Sequence, residues 1–265
     1  MTPGAIALPQ CVWPRIASAL ALGWIVSFLC LPSAICNTCG SAIGQSLDTQ
    51  IATNIKMLQT GSVGERTGAA KLLIGNWEKS LPLLVKELAA LESSAPNPGK
   101  SDETYLVAIT DLVRTVIANN NSATDLFRKS DDISGINGSK VVQTLAWSAR
   151  GDNKDLRINA TYILANVVDN SNVCVVLDHL RDPKLPENGR VNLLQVVVPV
   201  ASYAYKDTID QINRTIDVVE KKDPKNTRSI GEIKQRLEKS SNSEVATREK
   251  GIPTFCPNPG LAPLS

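Results

Sequence analysis

From about residue 46 to residue 239, apolar side chains recur at intervals of three and four, the spacing that draws one stripe along an α-helix. In Asp102 to Asn119, Tyr105, Ile109, Leu112, Val113 and Val116 share a face. In Asn153 to Asp169, Leu156, Ala160, Ile163, Leu164 and Val167 repeat those offsets. The same spacing predicts helices at about 46–59, 64–75, 80–92, 138–150, 172–181, 188–205, 207–221 and 229–239. No stretch sustains the alternation of a half-buried strand, and Val196-Val197-Val198 sits inside a longer helical pattern that Pro199 should kink. The chain is therefore expected to be all-α. Aromatic residues make up only 4% of it against 43% apolar, so its core has to be aliphatic.

Breaks divide the pattern into short helices. Ser93 to Ser101 is a Pro/Gly/Ser linker with Ser101 or Asp102 placed to cap the next helix. Asn119 to Gly138 reads as a long polar loop around a short helix near Thr124 to Lys129, and Asp182-Pro183 and Asp223-Pro224 mark further separations. Three segments superimpose on an arginine: Arg66-Ala69-Leu72-Leu73, Arg157-Ala160-Ile163-Leu164 and Arg190-Leu193-Val196-Val197. A second helix registers behind each, through Leu84 and Leu88, Val176 and Leu180, and Ile209 and Ile212.

This helix–turn–helix pattern, spread over about residues 62 to 222, resembles the HEAT and armadillo-like helical repeats. It departs from them in the irregular loop 119–138, in Leu193 where a small residue is usual, and in unequal spacing. The resemblance implies an α-solenoid, a right-handed-type superhelical stack of antiparallel helix pairs, in which neighbouring pairs bury the stripe that one pair cannot bury alone. It also implies binding of proteins along a concave face, although the sequence does not say which helix of each pair lines it. An irregular helical bundle is the rival architecture.

Residues 1–36 differ from all that follows. Arg15 is their only charge, and Ile16 to Leu31 is an apolar run that breaks at Pro32-Ser33-Ala34. That is the layout of a secretory signal, with a mature N-terminus expected between about Ile35 and Ala42. The alternative is an anchor retained through residues 16–35, just long enough to span a bilayer. The expected organisation is thus a signal at 1–36, a helical-repeat domain at 37–239 and a disordered tail at 240–265. Without Arg15 the basic residues number 27 against 26 acidic ones, a balance that offers no general field to nucleic acid.

Chemistry is sparse in the sequence. His179 is the only histidine, which excludes a multi-histidine metal site within one chain, and its place between Val176 and Leu180 suits a structural or surface role. Gly135 to Lys140 has the flavour of a phosphate loop without its spacing, and Asp131-Asp132 reads as solvated charge. Four Asn-x-Ser/Thr sequons, at Asn120, Asn137, Asn159 and Asn213, matter only in a eukaryotic secretory route. Cys36-Asn37-Thr38-Cys39 has a redox or half-metal spacing but no strand leading into a helix, so structural disulfides or incidental thiols are the expectation. Because Cys256 lies in a tail long enough to fold back, its pairing with Cys174 is preferred to a Cys36–Cys39 bond in an oxidising compartment. The resulting expectation is an exported protein-binding scaffold with no catalytic, cofactor-binding or metal residues. The competing expectations are a HEAT-like lyase-type enzyme and a membrane-anchored structural subunit of an envelope complex.

Overall fold

A computed structural model describes residues 46–91, 100–130, 138–222 and 227–241 of the chain. Its described part is all-α: α1 (Leu47–Thr60), α2 (Val63–Gly75), α3 (Trp77–Ala90), α4 (Lys100–Asn119), α5 (Ala123–Ser130), α6 (Gly138–Arg150), α7 (Lys154–Val167), α8 (Val173–Arg181), α9 (Glu187–Val200), α10 (Lys206–Lys222) and α11 (Thr227–Ser241). These fall in the compact unit Gln45–Ser265; the other unit, Met1–Gly44, lies outside the described residues together with the expected signal.

Local chemistry starts the helices where the sequence directs. Ser46 accepts from the Thr49 amide at the head of α1. Ser62 and Glu65 form a reciprocal capping box at the head of α2, with the Ser62 amide donating to Glu65 Oε2 at 2.7 Å. Gly61 permits the α1–α2 turn, since a Cβ there would stand 2.6 Å from the Met57 carbonyl oxygen. Asn153 caps α7 through the Leu156 amide and donates from Nδ2 to Glu103 near the start of α4, so α4 and α7 run parallel.

The helices pack in two rows. In one, α4 lies on α7, α7 on α9 and α9 on α11; in the other, α3 lies on α6, α6 on α8 and α8 on α10. The hairpins α6–α7, α8–α9 and α10–α11 join the rows, and α1 packs on α2, α3 and α4. Short α5 fits against α3 and α7, where Phe127 is fully buried and Arg128 donates to the carbonyls of Asn166 and Val167 at the end of α7. Among the largest fully buried side chains Phe127 is the aromatic exception, and the rest are Leu and Ile, as an aliphatic core requires. Most superimposed positions behave alike: Ala69, Ala160 and Leu193 are all buried, as are Leu84, Leu88, Val176, Leu180, Ile209 and Ile212, whereas Leu72 is only partly buried where its matches Ile163 and Val196 are fully buried.

Three local expectations are corrected. Helix α4 starts at Lys100, so Ser101 and Asp102 lie inside it rather than capping it. Helix α3 starts at Trp77 despite Pro82; the carbonyl left without a donor, that of Glu78, belongs to an exposed first-turn residue. Pro199 does not kink a helix continuing to residue 205. It sits in the last turn of α9, which ends at Val200, and Asn170 then clamps the following backbone by donating to the Tyr203 carbonyl and accepting from the Tyr205 amide. At the C-terminal end, Ser240 Oγ donates to the Ala204 carbonyl at 3.0 Å, so the end of α11 meets the α9–α10 turn.

Candidate binding groove

Apolar residues lying off the buried stripes mark a broad concavity between α2, α4 and α7. Val63 at the start of α2 and Ile158 on α7 are 73% and 45% exposed, and Tyr162 lies one turn beyond Ile158 at the surface. Between α2, α4 and α7, Val63 and Ile158 border a groove of about 550 Å³ with an apolar floor that includes Leu58, Val107 and Leu112. Its charged edge holds Arg66, Arg114, Asp111 and Asp155. Arg114 is committed, donating to Asn159 Oδ1 at 2.9 Å and lying 5.7 Å over the Tyr162 ring. Arg66, Asp111 and Asp155 form no ion pair with any described residue. The groove therefore offers apolar contact area beside charge of both signs that no described residue pairs.

The equivalent arginines are occupied elsewhere. Arg157 donates to the carbonyls of Gly151 and Asp152 in the turn before its own helix, and Arg190 donates to the Leu185 carbonyl in the same way. That second arginine role, closing the preceding turn, is a residue function that sequence reasoning missed. Its signal was the arginine anchor itself, placed at the first turn of each matched helix.

His179 lies in a different setting, on α8 against α6. It is buried, meets the Trp147 ring edge-to-face at 5.0 Å between centroids, and accepts at Nδ1 from Arg150 at 3.1 Å. Since a guanidinium only donates, the proton of the neutral ring resides on Nε2, which has no partner among the described residues. Arg150 also lies 4.3 Å over Trp147 and pairs with Asp182. Burial, reinforced by the Arg150 cation, pushes His179 down to about 4. Burial opposes ionisation of Asp182 too, but the Lys184 amide and Arg150 hold it below the usual carboxylate value. The arrangement joins α6 to α8 and keeps the imidazole neutral, and the ring is not part of the groove.

The other sequence candidates separate. Cys36, Cys39, Cys256, Asp131, Asp132 and the start of the Gly135–Lys140 segment lie outside the described residues; residues 138–140 begin α6. Cys174 is buried and disulfide-bonded. Of the sequons, Asn159 is buried under Arg114, Asn213 is exposed on α10, Asn120 is partly buried against the end of α4, and Asn137 is outside the described residues. Among the described residues no three His, Cys, Asp or Glu side chains gather as metal ligands, and no helix is long and apolar enough to cross a membrane.

Comparison with known proteins adds no relative. No family model, curated protein or solved structure matches this chain.

Proposed function

We propose that this chain is an exported helical-repeat protein of HEAT/armadillo-like architecture, working as a scaffold that binds a segment of a protein partner rather than as a catalyst. The observation that carries the reading is the groove of α2, α4 and α7, where Val63 and Ile158 stay exposed beside the unengaged Arg66, Asp111 and Asp155. Exposed apolar side chains next to unpaired charges suit a partner-binding surface better than a solvated one. Support for the superhelical stack comes from the two rows of helices and from the burial shared by most of the superimposed repeat positions. Support for export comes from the charge-poor apolar run 16–31 followed by Pro32-Ser33-Ala34.

The deciding experiment is capture of a partner from the native envelope and secreted fractions by the purified protein, followed by affinity measurement on groove variants. Ile158→Asp and Arg66→Glu should each weaken binding at least about tenfold, the scale of one hot-spot contact. Unchanged affinity in both would remove the groove from the function. N-terminal sequencing should find a start between about Ile35 and Ala42; an intact Met1 on a bilayer-embedded protein would replace secretion by anchoring through residues 16–35.

A further inference from the structure

The groove of α2, α4 and α7 limits the conformation of whatever lies in it. Helices α2 and α7 both pack on α4 and scarcely touch one another, so α4 is the floor and the other two are the walls. Beyond the first turns, the lining residues lie inside helices, whose amides and carbonyls bond one another and leave none for an incoming chain. Thr67 and Asn159 are spent as well. Thr67 donates to the Val63 carbonyl at 2.8 Å, and Asn159 Oδ1 accepts from Arg114 at 2.9 Å. An extended peptide pressed onto Val107 and Ala108 buries amides and carbonyls that find no backbone partner there, a penalty that a helix avoids by bonding its own backbone. Ala70 on the α2 wall and Ala108 on the floor are small enough to let the bulk of a helix come close.

The charges select among helices. Arg66 on the α2 wall and Asp155 on the α7 wall stand on opposite sides, and neither forms an ion pair with a described residue. Asp111, equally unpaired, follows Val107 and Ala108 one turn along α4 and ends that stretch of apolar floor. Arg114 is already turned onto Asn159 and Tyr162 of α7. One wall thus calls for a carboxylate and the other for a cation. We propose, resting on the groove reading above, that the occupant is an amphipathic α-helix of a partner protein. Its apolar stripe, at three- and four-residue spacing, lies on Val107, Ala108 and Ile158, with a carboxylate on the flank that meets Arg66 and a lysine or arginine on the flank that meets Asp155. Walls of opposite sign reject a helix whose two flanks carry one sign, because one wall then repels it.

The test uses four fluorescein-labelled synthetic peptides of about 18 residues, long enough to be helical in water, titrated with the purified full chain and followed by anisotropy. All carry leucines at three- and four-residue spacing; their flanks are Glu opposite Lys, Glu only, Lys only, or Glu opposite Lys with a central proline. The first should bind at least about tenfold tighter than the other three. Arg66→Glu should make the Lys-only peptide the tightest and Asp155→Lys the Glu-only peptide, gains that a damaged fold cannot produce. An order of affinities that neither substitution changes overturns the inference. So does a proline-broken peptide that binds as tightly as the intact one; if Ile158→Asp weakens that binding, the groove reading survives and only the helix falls. Sedimentation of the chain alone decides on self-association: a dimer that Ile158→Asp dissolves gives the groove to a second copy and overturns the partner helix. Peptide binding that is absent, or indifferent to Ile158→Asp, removes the groove and this inference together.

Discussion

One arginine motif serves two regions of the molecule differently. At the start of α7 and α9, Arg157 and Arg190 turn back to bond carbonyls of the preceding connection, at Gly151, Asp152 and Leu185. At the start of α2, only the short Gly61–Ser62 connection lies behind Arg66, whose side chain makes no such turn contact and lines the groove. The same anchor is thus structural before α7 and α9 and remains available at α2. The same contrast extends to the surroundings. At the α6–α8–α9 junction Arg150 is engaged by His179, Asp182 and Trp147, while the α2–α4–α7 surface keeps apolar residues and charges unengaged.

The largest effect that sharpens this contrast is set by pH. The folded protein keeps His179 neutral down to about 4, whereas the unfolded chain takes up its proton below the ordinary 6.5. Stability is full above that pH and should fall as pH drops toward 4, by up to about 3 kcal/mol. Because this is the only histidine, urea midpoints between pH 7 and about 5.5, above the ordinary carboxylate range, report chiefly on it, and His179→Phe should flatten the profile there. A variant that keeps the full slope would place the pH sensitivity elsewhere.

Next come the close helix approaches. Ala160 is fully buried on α7, so Ala160→Leu should destabilise by about 1–3 kcal/mol through overpacking, whereas Lys154→Leu on the exposed first turn should be almost neutral. Equal thermal shifts for the two would mean that the repeat register is wrong. In the same range is Gly189, whose added Cβ would meet the Arg150 backbone Cα at 2.9 Å and its Cβ at 2.7 Å. Gly189→Ala should cost about 1–2 kcal/mol, while Gly231→Ala, with open space around it on α11, should stabilise by several tenths. Thermal melts of the two glycine variants should move in opposite directions.

The smallest effect tests the arginines themselves. Arg157→Ala should cost about 1 kcal/mol for the lost carbonyl bonds, and Arg66→Ala should leave stability unchanged while weakening partner binding. If both variants lose the same stability, the division of roles disappears.

The helices were legible because their evidence is local. The α6 span 138–150 follows from spacing alone, and α1, α2, α8 and α10 lie within two residues of expectation. Helix α9 was overextended because its end depends on Asn170, some thirty residues earlier, gripping the backbone after Pro199. The groove was illegible for a related reason. Ile158 and Tyr162 stand off the buried stripe of α7, a signal present in the sequence, but whether such residues meet another helix or stay open is decided by how α2 and α4 are placed beside them. The role of His179 was readable only as structural or surface, since burial by Trp147 and Arg150 comes from a different helix.

The principal packing contacts join helices no more than three places apart in chain order. Ordering such a chain requires only short loops to close at each step, the condition for rapid folding. In a polypeptide that emerges N-terminus first, an exposed apolar stripe would wait for no more than the next three helices before its packing partners are present.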